Sequence, residues 1–289
     1  MTSRIRPFTG LAIAAVLVVA CGSPAGSGSA GASGSPVGPS LSSAPSFAGS
    51  TRITASSPLT IYGAASLSGA LAKLKAAWEM ANPGSTLTIS TDSSAALETQ
   101  IEQGAPADVF LSADTTNPKK LTDAGLADGP AVEFAGNALT IIVPADNPAR
   151  IAAPADLARP GVKIIAAGDD VPITKYAKQL LANVTKTTPG FDAGYAANVV
   201  SKEDNVKAVV AKIELGEGDA AVVYGTDAKA STKVATVAIP PDLNVPATDA
   251  GVVLKASAHA ADAHAFLAWV AGPDGQAILA SFGFLPPPD

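Results

Sequence analysis

The chain has 289 residues, with 19 basic and 25 acidic side chains, a formal charge of −6 and a single cysteine. An acidic balance argues against nucleic acid, because binding a phosphate backbone needs a basic face. A lone cysteine excludes an internal disulfide and any multi-cysteine metal site.

The first twenty residues read as a signal peptide. Arg4 and Arg6 precede an apolar run from Leu11 to Ala20, too short to remain as a transmembrane helix. The run ends in Val18-Val19-Ala20-Cys21, small apolar residues directly before the cysteine, which is the pattern of a lipobox. Cys21 is therefore the expected lipid-bearing N-terminus. Residues 21–57 follow as a Gly/Ser/Pro/Ala-rich tether with too few large apolar side chains to offset its ordering entropy. Removing the leader leaves 17 basic against 25 acidic residues, a charge of −8.

In the body, short β-rich runs alternate with helical periodicity. Leu59 to Tyr62 reads as a strand, and Leu67, Leu71, Leu74 and Trp78 then fall at helix spacing until Asn82-Pro83-Gly84. Leu87 to Ser90 is a second strand, followed by a helix carrying Leu97 and Ile101 and closed at Gly104. Further strands are expected at Val109 to Leu111, Leu139 to Val143, Lys163 to Ala166 and Ala220 to Tyr224. Helices are expected at Thr174 to Ala182, Asn205 to Leu215, Ala260 to Val270 and Asp274 to Phe282. The alternation predicts a parallel, helix-covered sheet. Asn137 to Pro144 and Pro240 to Val253 read as crossings between two lobes. They predict lobe 1 from residues 58–138 plus 250–289 and lobe 2 from 139–249, with a ligand cleft between them.

Candidate binding residues sit just past strands, where open α/β sheets collect ligands. Ser66 lies in AASL (64–67), Ser94 in DSSAAL (92–97) and Tyr224 in VYGTDA (223–228). Hydroxyls and helix N-termini with no nearby cation suit an oxyanion held by dipoles. Each residue also has a plainer structural role. Ser66 and Ser94 precede apolar-periodic helices and fit N-caps, Asp204 fits the cap of the next such helix, and Tyr224 and Tyr176 fit packing positions. Asp108 and Asp114 read as loop or cap residues, and His259 and His264 as surface residues. Enzyme readings find no support: there is no G-x-S-x-G elbow, no G-x-x-x-x-G-K-[ST] loop and no H-E-x-x-H motif.

AASL, the serine pair before the second helix, IEQGAPADVFLSAD (101–114), VPITKYA (171–177), EDNV (203–206) and VYGTDA occur in one order along about 225 residues. Together they resemble the molybdate-binding lipoproteins and periplasmic proteins of ABC importers. The resemblance implies an α/β, two-lobe type II periplasmic-binding-protein fold with helix-covered central sheets. It also implies a ligand set of Ser66, Ser94, Ile173, Val206 and Tyr224, the serines giving hydroxyls, Ile173 and Val206 backbone N–H groups and Tyr224 its phenol. The family often carries a third serine or a glycine where this chain has Ala95, and a small residue where Ile173 stands. The implied partners are molybdate or tungstate, the permease of an ABC importer, and the membrane through the N-terminal lipid. No nucleic acid and no cofactor are expected, and the protein is expected to be an extracytoplasmic monomer. Asp92 and Asp204 leave phosphate open, sulfate remains a second alternative, and a lipid-anchored interaction module without a small ligand is the third.

Overall fold

A computed structural model describes residues 55–288; the signal peptide, Cys21 and most of the tether lie outside them. The order begins β1 (Pro58–Ala64), α1 (Ser68–Ala81), β2 (Thr86–Asp92), α2 (Ser94–Glu102), β3 (Val109–Ser112) and α3 (Thr116–Asp123). Then come the long β4 (Val132–Pro144), β5 (Ile164–Ala167), α4 (Pro172–Thr187), α5 (Phe191–Asn198), β6 (Val199–Glu203) and α6 (Val206–Glu214). The chain closes with β7 (Ala221–Tyr224), α7 (Gly225–Lys229), β8 (Val234–Val237), β9 (Pro246–Val253), α8 (Ala260–Ala271) and α9 (Pro273–Phe282).

The molecule is a two-lobed α/β structure organised around β4. Its first half, Val132 to Ala138, pairs antiparallel with β9, and from Leu139 onward it pairs with β7 and β8 instead. On the first side the order runs β2-β1-β3-β9-β4, with β1 parallel to β2 and β3. On the second side β5 and β6 form a parallel pair, tied to β7 by a bridge between Ile164 and Ala220. The expectation of a parallel sheet holds for β1 to β3 and for β5 with β6. It fails at β4, β7, β8 and β9, which pair antiparallel because β4 and β9 run in opposite directions between the two halves.

Burial follows the pattern of apolar residues. Leu59 and Ile61 point inward from β1, and Leu71, Leu74 and Trp78 form the buried stripe of α1. Trp78 meets Phe266 of α8 edge-on, with ring centroids 5.2 Å apart. Burying side chains of this size contributes roughly 1.5–3 kcal/mol each. A second apolar cluster, including Leu97, Phe110, Leu121 and Val252, lies beneath α2 and α3.

At Gly136, where β4 nears its change of partners, the C-terminal segment closes over the strand through Gly136 N to Leu285 O (2.7 Å) and Leu285 N to Gly136 O (2.8 Å). A Cβ at this glycine would lie 2.6 Å from the Pro286 carbonyl oxygen, so no larger residue fits without movement. Among the described residues no helix is long and apolar enough to cross a membrane.

Candidate functional site

Five local structures converge on one small cavity, with a volume of about 10 Å³. Ser66, Ser94, Ile173, Val206 and Tyr224 all line it, joined by backbone and small side chains such as Ala64, Ala113 and Pro172. None of the described residues lining it is charged.

Ser66 stands in the 3-10 turn Ala65–Leu67 between β1 and α1 and makes no side-chain cap. Its Oγ is buried and has no hydrogen-bond partner. An unpaired buried hydroxyl costs about 1–3 kcal/mol. Ser94 is the first residue of α2, and the cap is its neighbour Ser93, whose Oγ accepts from Ala96 N at 3.3 Å. The capping expectation for Ser66 and Ser94 is thereby corrected, because each lies one or more positions inside its helical turn. Ser94 Oγ accepts from Ala113 N at 3.1 Å. That bond uses a lone pair and leaves the hydroxyl proton free to donate.

The amide donors come from helix starts. The first N–H groups of a helix have no acceptor within it and carry the positive end of its dipole. In α4 the first residue is Pro172, which has no N–H, so Ile173 supplies the first amide. In α6 the first residue is Val206, and Asn205 is the cap, its side chain accepting from Ala208 N at 3.1 Å. Asp204, expected as that cap, is instead exposed; extended backbone at Asn205 puts the Asn205 side chain over the helix end.

Tyr224 ends β7 and is 1% exposed. Its hydroxyl donates to the Ala113 carbonyl at 3.3 Å, so Ala113 links Tyr224 to Ser94. Burial, reinforced by nearby Asp249, pushes the phenol well above its usual range, and Tyr224 stays a neutral donor. Tyr176 packs edge-on against it at 6.2 Å, and burial pushes the Tyr176 phenol up to about 12. The Tyr176 hydroxyl also accepts from Thr248 N at 3.3 Å, which fixes the pair of rings against β9.

Further contacts cross the cleft around this cavity. Asp92 Oδ1 accepts from Ser93 N at 2.7 Å and from Asn205 Nδ2 at 3.2 Å. Lys175 contacts the Thr116 hydroxyl. Asn205 thus caps α6 and reaches across to Asp92, a double role that sequence reading missed. Behind the site lie two buried carboxyls. Asp227 faces Lys207 at 3.1 Å, whereas neither oxygen of Asp249 has a hydrogen-bond partner. Burial first, and then Asp227 and Asp114, hold the Asp249 carboxyl well above the usual carboxylate range.

The remaining expected residues take structural roles. Asp108 accepts from Thr60 N at 2.7 Å, and Asp114 accepts from Asn117 N at 3.0 Å at the start of α3. His264 lies at the surface beside Asp128, 3.0 Å away. A larger groove of about 740 Å³ runs past Gly104 to Asp108 and His259, and an apolar hollow of about 310 Å³ lies between α4 and α5. Of the five candidate donors only Ile173 borders either one.

The chain matches the family model for bacterial extracellular solute-binding proteins over residues 59–285. It is 35% identical over 230 residues to the molybdate-binding protein ModA of Mycobacterium tuberculosis, covering 79% of this chain and 85% of that relative. Among solved structures it is similar to the periplasmic molybdate-binding protein of Azotobacter vinelandii, with 25% identity, a TM-score of 0.68, and 80% and 100% of the two chains covered. The sulfate-binding protein SubI of Mycobacterium tuberculosis shares the fold, with 22% identity, a TM-score of 0.71, and 79% and 86% covered. A match that takes in nearly every described residue, on a two-lobed α/β frame with its uncharged cavity in the cleft, means that the chain belongs to the family of bacterial extracellular solute-binding proteins.

Proposed function

We propose that this protein captures molybdate, and tungstate by its near-identical size and shape, in the cleft and delivers it to the permease of an ABC importer. One observation carries the reading: two hydroxyls, two helix-start amides and a neutral phenol meet at a small cavity that no charged side chain lines. Molybdate at neutral pH is a fully deprotonated tetrahedral dianion and can only accept hydrogen bonds. A set of donors without a carboxylate is complementary to it. Charge-assisted bonds to buried donors are worth roughly 1.5–3 kcal/mol each. Several of them exceed the roughly 8 kcal/mol of a micromolar complex before ordering costs are counted.

Phosphate retains a proton near neutrality and favours a site that also offers an acceptor. Asp92 does not line the cavity, its Oδ1 already accepts two hydrogen bonds, and Asp204 is exposed. The same arrangement speaks against catalysis: Ser66 Oγ has no partner to act as its base, and the relatives are named as binding proteins. We read residues 58–138 with 250–289 as lobe 1 and 139–249 as lobe 2. Cys21 is the proposed lipid anchor of an extracytoplasmic monomer that needs no cofactor.

Calorimetric titration with molybdate, sulfate and phosphate at one ionic strength tests the assignment. The expected result is one-to-one molybdate binding below about 1 μM, with sulfate at least about tenfold weaker. Equal sulfate affinity overturns the ligand, and silence towards all three overturns the oxyanion reading.

A further inference from the structure

The buried cavity borders a wider hollow on one side of the cleft only through Ser66, the single residue lining both. This hollow has a volume of about 360 Å³, and its walls include Phe282 and Phe284 from the C-terminal end of the chain and Lys207 and Lys229 from α6 and α7. Lys207 is about one-third exposed and lines the hollow, with its ammonium 3.1 Å from the buried Asp227 carboxylate, its one carboxylate partner among the described residues. Lys229 has no carboxylate within ion-pair distance among the described residues. Its ammonium donates to the Ser281 carbonyl at 3.1 Å, near the C-terminal end of α9 where a cation is stabilised by the helix dipole. The stem lies over Gly283, whose φ of 98° and lack of a side chain let the lysine pass closely.

The opposite side of the cleft has a different charge pattern. Its hollow of about 510 Å³ mixes Lys120, Lys175 and Lys178 with Asp114, Asp169 and Asp170. Lys178 pairs with Asp169 at 3.3 Å, and Lys120 with Glu98 at 3.2 Å. A dianion approaching a chain of net negative charge is repelled over most of the surface. A cleft lined by one sign of charge, with low-dielectric walls, focuses the field and raises the association rate.

We propose that the hollow lined by Lys207 and Lys229 is the vestibule through which the oxyanion reaches Ser66, the two lysines steering a small dianion past aromatic walls into the neutral binding cavity. This rests on the oxyanion reading above. Division of labour follows from electrostatics. A lysine in the cavity itself would bind protonated and deprotonated anions alike, whereas lysines outside it attract the anion without contributing to discrimination.

Stopped-flow measurement of molybdate association, followed by intrinsic fluorescence at about 20 mM and about 500 mM salt, tests the proposal. Lys229→Gln should slow association about two- to fivefold at low salt and Lys229→Glu more, with dissociation unchanged and the difference gone at high salt, where the screening length is only a few ångströms. Lys178→Gln on the opposite side should leave the rate unaltered. An unchanged association rate in Lys229→Gln, a slowing that persists at high salt, or an equal slowing in Lys178→Gln would each overturn the vestibule. Absence of molybdate binding by the unsubstituted protein would instead overturn the ligand reading on which it rests.

Discussion

At the scale of single residues, the two serines make the same kind of offer to a ligand from opposite energetic positions. Ser66 Oγ is buried and has no hydrogen-bond partner within the protein, so the fold itself does not offset its desolvation cost. Ser94 Oγ already satisfies the Ala113 amide, so its removal strips a structural bond as well as a donor. The two alanine variants should therefore part company. Both should weaken molybdate binding by about 1–3 kcal/mol, or about five- to 150-fold, if each leaves an anion oxygen unpaired. Ser66→Ala should leave the melting temperature of the ligand-free protein unchanged or higher, whereas Ser94→Ala should lower it. Calorimetry paired with thermal denaturation checks this. A Ser66→Ala protein that loses stability yet binds normally would return Ser66 to a purely structural role.

At the scale of elements, β9 shows what pattern reading reaches and where it stops. The apolar run in Gly251-Val252-Val253 marks a strand end, but nothing in Thr248-Asp249-Ala250 announces that Asp249 is buried to within 1% and left without a partner. Strand alternation puts a polar residue on either face. Only the packing of Tyr176, Tyr224 and Asp227 against this one decides which. The same limit applied at Asp204-Asn205, where both side chains suit a cap and backbone geometry alone selects Asn205. The five candidate residues came from separate motifs, Ile173 and Val206 only through the family resemblance, and the structure brings all five to one cavity, with Pro172 making Ile173 the first free amide of α4. The extent of β4 was not legible: the sequence pattern starts the strand at Asn137, whereas it runs from Val132 through Gly136, with Asn137 donating to the Thr226 hydroxyl at 2.9 Å. Asp249 also has a measurable signature. Its carboxyl titrates higher in the folded than in the unfolded chain, so the folded state holds the extra proton and stability falls as pH rises above about 4 towards the raised value, by up to about 1.4 kcal/mol per pH unit. Asp249→Asn removes that pH dependence. Its melting temperature, followed from pH 4 to 8, should decline less with rising pH than that of the unsubstituted protein, and parallel curves would show that Asp249 does not titrate differently on folding.

At the scale of the whole molecule, the proposed capture would be a shift between open and closed arrangements of the lobes, in which an anion favours closure only by the extra bonds it makes across the cleft. On this proposal the protein contributes some of that closure itself. Asn205 Nδ2 reaches Asp92 Oδ1, and the Tyr224 hydroxyl reaches the Ala113 carbonyl. On this proposal such contacts favour the closed form and so reduce what binding must supply, while each also opposes release. Asn205 allows the two roles to be separated, because serine caps a helix as well as asparagine while being too short to reach Asp92. Asn205→Ser should retain the melting temperature to within about the few tenths of a kcal/mol that separate good caps. Loss of one cross-cleft hydrogen bond, worth about 1 kcal/mol, should lower the closed population and weaken apparent molybdate affinity about fivefold. In small-angle scattering the ligand-free variant should have a larger radius of gyration than the ligand-free unsubstituted protein, with the two converging once molybdate saturates them. Equal radii without ligand, together with equal affinities, would mean that the Asp92–Asn205 contact forms only as a consequence of closure and contributes nothing to setting its equilibrium.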